Sequence, residues 1–297
     1  MKSSQSKIIP LKGKDKIKAE VSQVSFNSIA TTERGDVAHN SPQFLPDFKI
    51  RCSSLGSIMT DPKSGPGLSE TCKTHLIELY VQHKYNRTKK IENKYVEKGR
   101  AVEEDAITLY SKLRKSFFRK NKERLTNKYI TGEPDLFIGK DILYADCIID
   151  TKCSWDLYTY IKAKYDKTNK DYYWQGMGYM ALTGAKQFKL VYCLINTPTS
   201  LILDEKRRLA YRLDVIDDYG RPDYIEACKE IERNCIFDDI PDSERMFEIV
   251  IDRDEPQIHK IYDRVSASRK WLADTFYTSD SLTETLSKSI ELQKQLV

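Results

Sequence analysis

Three charged residues stand where the sequence otherwise reads as β-strand: Asp135 in "GEPDLFIG", and Asp150 and Lys152 in "IIDTK". Charges inside a sheet are costly unless something compensates them, and a divalent cation would do so. Side chains alternate along a strand, so Asp150 and Lys152 share a face, roughly 6–7 Å apart along the backbone. Gly139-Lys140-Asp141 reads as a hairpin turn that would bring Asp135 beside them. Two carboxylates and an ammonium at one end of a hairpin suit Mg²⁺ or Mn²⁺ rather than zinc, which prefers His or Cys. A lysine next to such an ion can orient or deprotonate an attacking water. A salt bridge between Asp150 and Lys152 at a strand end would give the same spacing.

Two further residues could join them. In "EKGRAVEEDAITLYS" three acids run together, Glu103, Glu104 and Asp105. On a helix Glu103 falls about 65° from the centre of the apolar stripe and Glu104 nearly opposite it, so Glu103 is the acid aimed inward. Gly99, one turn earlier, is read as a place of close backbone approach. The competing reading is a boundary Glu paired with Lys98 or Arg100. Gln175 lies among Tyr172, Tyr173, Trp174, Met177 and Met180. A buried amide there needs hydrogen-bond partners, either within an aromatic core or on a phosphate.

The elements that must position these residues follow from periodicity. A helix is predicted from near Ser69, after a Gly/Pro/Ser loop, and a second over about 92–113 with Val102, Ala106, Leu109 and Leu113 inward. Strands are expected at "KYITG", "DLFIG" and "ILYADCIIDTK"; the helical stretch "DYYWQGMGYMALT" closes at Gly184. "QFKLVYCLIN" is apolar enough for a central strand, and an amphipathic helix is expected over about 255–277. The fold class is therefore α/β (α+β), a layered core of sheet and helices. Residues 1–45 are rich in Ser, Lys and Thr without periodicity and read as a loosely ordered basic arm, leaving 46–297 as one domain.

Composition sets the remaining bounds. The net charge of +5 is too mild to name a partner, so partners depend on where the charge sits. Seven cysteines, an odd number without any C-x-x-C, argue against a disulfide scaffold and for a reducing cytoplasm. No apolar run is long enough to span a bilayer, so no membrane partner is expected.

Taken in order, these pieces resemble the PD-(D/E)-x-K nuclease superfamily, and within it the phage lambda exonuclease-like (YqaJ-type) recombination nucleases. The likeness runs through "GRAVEEDA" (Gly99, Glu103, Asp105), "GEPDL" (Pro134, Asp135), "IIDTK" (Asp150, Lys152) and "YYWQGMGYM" (Gln175). It extends to "RCSSLGSIM", where Ser54 falls at a serine that holds the DNA end and Arg51 is the candidate arginine, and to "FEIVIDRDE"; it covers about 46–277. Asp150 stands where the family usually has Glu, which shortens the ligand arm. The resemblance implies a restriction-endonuclease-like core, a central mixed sheet flanked by helices. It implies Asp135, Asp150 and the main-chain carbonyl of Thr151 as metal ligands, Glu103 on a second Mg²⁺ or Mn²⁺, and Lys152 activating water. Gln175 and Ser54 would hold a terminal phosphate.

The implied activity is metal-dependent hydrolysis of duplex DNA from an end, 5′ to 3′, in phage-type recombination or end processing. A single-strand annealing partner, a homotrimeric ring and the cytoplasm of a host cell come with it. The alternatives are an endonuclease of restriction or repair type and a non-catalytic nucleic-acid-binding relative. For DNA contact, "KLRKSFFRKNKERLTNK" carries eight basic residues against Glu123, among them Arg114, Lys115, Arg119 and Lys120, with Phe117 and Phe118 between. Such a run can neutralise phosphates, or it can be a solvated helix end anchored by its two Phe. "FDDIPDSERMFEIVIDRDE" is acidic and is expected to face away from DNA.

Overall fold

The computed structural model describes residues 48–89, 93–166, 169–215 and 219–277. The segment read as an N-terminal arm lies outside the described residues. A short strand β1 (Ile50–Arg51) leads through a 3-10 turn into α1 (Leu55–Ile58). Helix α2 (Glu70–Tyr85) starts where Ser69 Oγ accepts the Cys72 N–H at 3.1 Å. This capping supplies an acceptor to one of the orphan amides of the first turn.

The single helix expected over 92–113 is two, α3 (Lys94–Ala101) and α4 (Glu103–Arg114), broken at Val102 (φ −113°, ψ 15°). Three acids in the first turn of α4 favour a helix start there, because the N-terminal amides and the helix dipole attract negative charge. Gly99 allows no close approach, since a Cβ placed there would meet nothing within 4 Å.

Strands β2 (Leu125–Thr126) and β3 (Ile130–Gly132) form a small mixed sheet with β1 in the order β1-β3-β2. The main sheet consists of β4 (Leu136–Ile138), β5 (Cys147–Cys153), β6 (Gln187–Cys193) and β7 (Met246–Asp252), in that order. β5 pairs antiparallel with β4 and parallel with β6, so this sheet is mixed as well. The hairpin expected at Gly139-Lys140-Asp141 is longer. A 3-10 turn at Ile142–Tyr144, capped by Asp141 on Leu143 N–H, sits between β4 and β5. Gly139 at φ 149° makes the bend, a conformation that a residue with a Cβ rarely adopts.

Helices cover both faces of the main sheet, and strand alternation decides which residues meet which helix. α4 packs on the face carrying Cys147, Ile149, Val191 and Cys193. The other face, with Ile148, Phe188, Leu190 and Tyr192, carries α6 (Lys170–Thr183), which follows α5 (Leu157–Asp166). Gly176 lets α6 lie close on the sheet: a Cβ there would come within 2.2 Å of the Phe188 ring. α7 (Thr199–Arg212) and α8 (Pro222–Cys235) join β6 to β7. α9 (Glu255–Leu272) ends in a π turn, Ala273–Tyr277, so the amphipathic stretch runs as far as expected.

Candidate active site

Asp150 and Lys152 occupy alternate positions in β5 on the face beneath α6, and they form an ion pair. Asp135 directly precedes β4, whose Leu136 pairs with Ile149, so the hairpin brings Asp135 level with Asp150. Its Oδ2 accepts the Thr151 N–H at 2.8 Å and the Thr151 hydroxyl at 3.0 Å. Burial, then the neighbouring Asp150 carboxylate, pushes Asp135 up to about 7. For Lys152 burial works against the charged form, but the carboxylates of Asp150 and Asp135 outweigh it, and the net shift is upward. Without an ion Lys152 is thus an ammonium, able to donate to a water or a phosphate oxygen but not to take a proton.

Gln175 reaches down from α6 and is buried. Its Nε2 donates to Asp150 Oδ1 at 3.2 Å and to the Tyr179 hydroxyl at 2.9 Å, and that hydroxyl donates to the Glu133 carbonyl at 3.4 Å. The amide is therefore hydrogen-bonded within the core and, through Asp150, tied to the acidic cluster. Tyr172 lies 5.0 Å from Lys152 Nζ across its ring face. Beside Lys152 opens a cleft of about 360 Å³, lined by Tyr95, Trp155, Lys162, Tyr172 and Tyr192.

Glu103 begins α4. Neither of the partners weighed from sequence holds it; Lys98 is buried and donates to the Trp155 carbonyl at 2.8 Å, and burial lowers its pKa to about 8. Glu103 Oε2 instead receives Lys120 Nζ at 2.6 Å, while Glu104 and Asp105 are exposed. Asn121, next to Lys120, is a residue the sequence does not single out. Its N–H donates to the Asp135 carbonyl at 2.7 Å and its Nδ2 to the Pro134 carbonyl at 3.0 Å, clamping this loop to the Pro134-Asp135 pair.

Neither a family model nor a curated protein sequence matches the chain. Among solved structures it is similar to a phage-related exonuclease from Haemophilus somnus 129PT, at 30% identity over 78% of this chain and 97% of that one, with a TM-score of 0.62. This chain is a lambda-exonuclease-like (YqaJ-type) PD-(D/E)-x-K nuclease. An alkaline exonuclease (LHK-Exo) from Laribacter hongkongensis, also solved in complex with dAMP, shares the fold at 19% identity over 82% of this chain and 95% of that one, TM-score 0.52.

Of the other candidates in this exonuclease-like chain, Lys120 meets Glu103 and the rest lie elsewhere. Arg51 and Ser54 line a separate cleft of about 620 Å³ with His75, Glu78 and Arg269, and neither lines the cleft beside Lys152. Of the basic run, Lys112 pairs with Asp242, Arg114 with Glu248, Lys120 with Glu103 and Arg124 with Glu133. The acidic segment thus folds against the start of the basic run. Phe118 packs beside Tyr110 and anchors the loop, whereas Phe117 is exposed. Lys115 and Arg119 make no ion pair among the described residues.

The residues present suit an oxygen-liganded divalent ion. Asp150 Oδ2 is a buried oxygen with no hydrogen bond of regular geometry, only the Lys152 ammonium beside it. The donors at hand, Asp135, Asp150, Glu103 and the Thr151 backbone, are all oxygens, as Mg²⁺ or Mn²⁺ requires. No three His, Cys, Asp or Glu side chains converge to hold an ion by themselves among the described residues. An ion held here would draw on the Thr151 carbonyl as well as carboxylates, and Glu103, paired with Lys120, would have to exchange that partner to join it.

Proposed function

We propose that this nuclease is a Mg²⁺- or Mn²⁺-dependent exodeoxyribonuclease that hydrolyses duplex DNA from an end, 5′ to 3′, in recombination or end processing. The observation that carries the reading is the convergence of Asp135, Asp150, Lys152 and Gln175 at one end of the β4–β5 hairpin, where the buried Asp150 Oδ2 has only the Lys152 ammonium beside it. Asp135, Asp150 and the Thr151 carbonyl would hold one ion and Glu103 a second. Bound there, the ions would lower the pKa of water and neutralise charge on the attacking and leaving oxygens. The uncatalysed reaction is slow enough that the site must supply on the order of 20 kcal/mol, more than one lysine can give.

The chain's own residues supply orientation. Lys152 would orient the attacking water or a non-bridging phosphate oxygen. Gln175 fixes the rotamer of Asp150, and Thr151 that of Asp135, so the carboxylates need no reordering when the substrate arrives. Water oxygen would bond to phosphorus and give up a proton to solvent as the P–O3′ bond breaks, and O3′ would take a proton from a solvent water as the terminal 5′-mononucleotide departs. Ser54 and Arg51 would hold DNA beyond the scissile bond, in keeping with their separate cleft. A single-strand annealing partner and a trimeric ring belong to the same reading, as does the cytoplasm of a host cell.

The decisive experiment compares end-labelled linear duplex with closed circular duplex in Mg²⁺. Mononucleotide release from the linear DNA, intact circles and complete loss of activity in excess chelator are expected. Cutting of closed circles would shift the reading to an endonuclease, and full activity in chelator would remove the metal from it.

A further inference from the structure

Both outer acids of the proposed metal set already carry a cation in the ion-free protein, and the two cations are not alike. Lys152 sits two residues from Asp150 in the same strand, so the backbone keeps the pair together. Lys120 reaches Glu103 from a loop seventeen residues away, and the contact at 2.6 Å is an ordinary charge-assisted bond. The backbone beside it is pinned: Asn121, 8% exposed, is hydrogen-bonded to the carbonyls of both Pro134 and Asp135. The Lys120 side chain is still 32% exposed. It also borders an open cleft of about 1040 Å³ whose charged lining is mostly basic, Arg119, Lys122 and Lys140 against Glu123 and Asp141. The Lys120 side chain thus borders both Glu103 and that cleft, while the neighbouring backbone is held by Asn121.

We propose that Lys120 is an exchangeable cation at Glu103. It holds the carboxylate until a divalent ion takes it, and the released ammonium then binds a DNA phosphate in the basic cleft. The inference rests on the metal-dependent reading above. One carboxylate beside both an ammonium and a divalent ion would leave two cations in contact, so ion and Lys120 compete. A phosphate that draws Lys120 away favours the ion at Glu103, and by reciprocity the ion favours DNA. Glu103 and Lys120 thereby couple assembly of the metal site to the presence of substrate. A DNA backbone with successive phosphates, not a free nucleotide, is the ligand this cleft suits, because several basic side chains line it.

The test titrates Mn²⁺ into the full chain without DNA, read by calorimetry or by the paramagnetic resonance of free Mn²⁺. Lys120→Met should tighten one of the two Mn²⁺ sites about tenfold, and Lys120→Arg should not. Lys122→Met, which removes a neighbouring charge of the same loop, should change affinity by less than twofold. In Glu103→Gln the Lys120→Met effect should vanish, because the two act as one pair. Adding a hydrolysis-resistant duplex should tighten Mn²⁺ binding in the wild type but not in Lys120→Met. Equal isotherms for the wild type and Lys120→Met would overturn the exchange, as would an equal effect of Lys122→Met. A wild type that binds no Mn²⁺ would instead remove the metal reading, and the exchange with it.

Discussion

The end of the β4–β5 hairpin and the basic segment 112–128 both concentrate charge, yet they handle it in opposite ways. At the site end of the hairpin Asp135, Asp150, Lys152 and Gln175 are partly or wholly buried and held by partners: Thr151 on Asp135, Gln175 and Lys152 on Asp150. In the basic segment most cations stand on the surface, and four of them meet acids, two of which, Asp242 and Glu248, come from a distant part of the chain. Buried charge persists only where something repays its desolvation, so its presence points to chemistry. Exposed charge is cheap, and surface ion pairs contribute little, so a basic run says less about function than its length suggests.

If that contrast holds, the largest effect belongs to Lys152. Lys152→Ala should lower kcat by about 10³-fold or more, since its role is in the chemical step, while Mn²⁺ and DNA binding persist. Single-turnover cleavage together with Mn²⁺ titration separates the two. A loss confined to KM would place Lys152 in substrate binding and weaken the distinction between the regions.

Glu103→Gln should cost about 10²-fold in kcat, whereas Glu104→Gln and Asp105→Asn should stay within about threefold. Only Glu103 turns toward Lys120 and the Asp135 side; the other two are exposed. Equal mild losses at all three would move Glu103 into the surface class.

Burial also makes a pH signature. Asp135 is pushed up to about 7 in the fold, well above its value in an unfolded chain. The folded, ion-free protein therefore keeps a proton that the unfolded chain has already released. That stabilisation is fully present below about pH 4 and is lost as pH rises through about 7. In chelator, the difference in Tm between the wild type and Asp135→Asn should shift against the wild type over this window. No surface acid of the 236–255 segment should give such a window when neutralised. A flat difference would mean that Asp135 is solvated like the surface groups.

What was legible in the sequence follows the same division. Asp135, Asp150 and Lys152 stand out because charges interrupt apolar strands, and period-two alternation then places two of them on one face. Gln175 stands out as an amide among aromatics. The break at Val102 was hidden because helix-forming residues flank it on both sides, and only the acid triplet marks the new start. Asn121 was hidden because it works on backbone carbonyls, which carry no side-chain signature. The pairing of Lys112 with Asp242 spans 130 residues and depends on tertiary packing, which no local pattern encodes. Ser54 and Arg51 were assigned by resemblance, and the fold sets them in a cleft apart from Lys152.

The smallest expected effect tests the surface side of the comparison. Lys115 and Arg119 make no ion pair among the described residues, so they are free to meet phosphates, while Lys112 and Arg114 are engaged by Asp242 and Glu248. Each phosphate contact contributes roughly 0.9 to the slope of log affinity against log salt on duplex DNA. Neutralising Lys115 and Arg119 together should therefore flatten the slope by up to about 1.8. Neutralising Lys112 and Arg114 should leave the slope nearly unchanged and lower stability slightly, because Glu248 would lose its Arg114 partner. Fluorescence-anisotropy titrations of a duplex in chelator, at several salt concentrations, measure the slope without cleavage. Equal flattening by both pairs would show that the acids let go when DNA arrives; surface pairing would then be no guide to which cations bind.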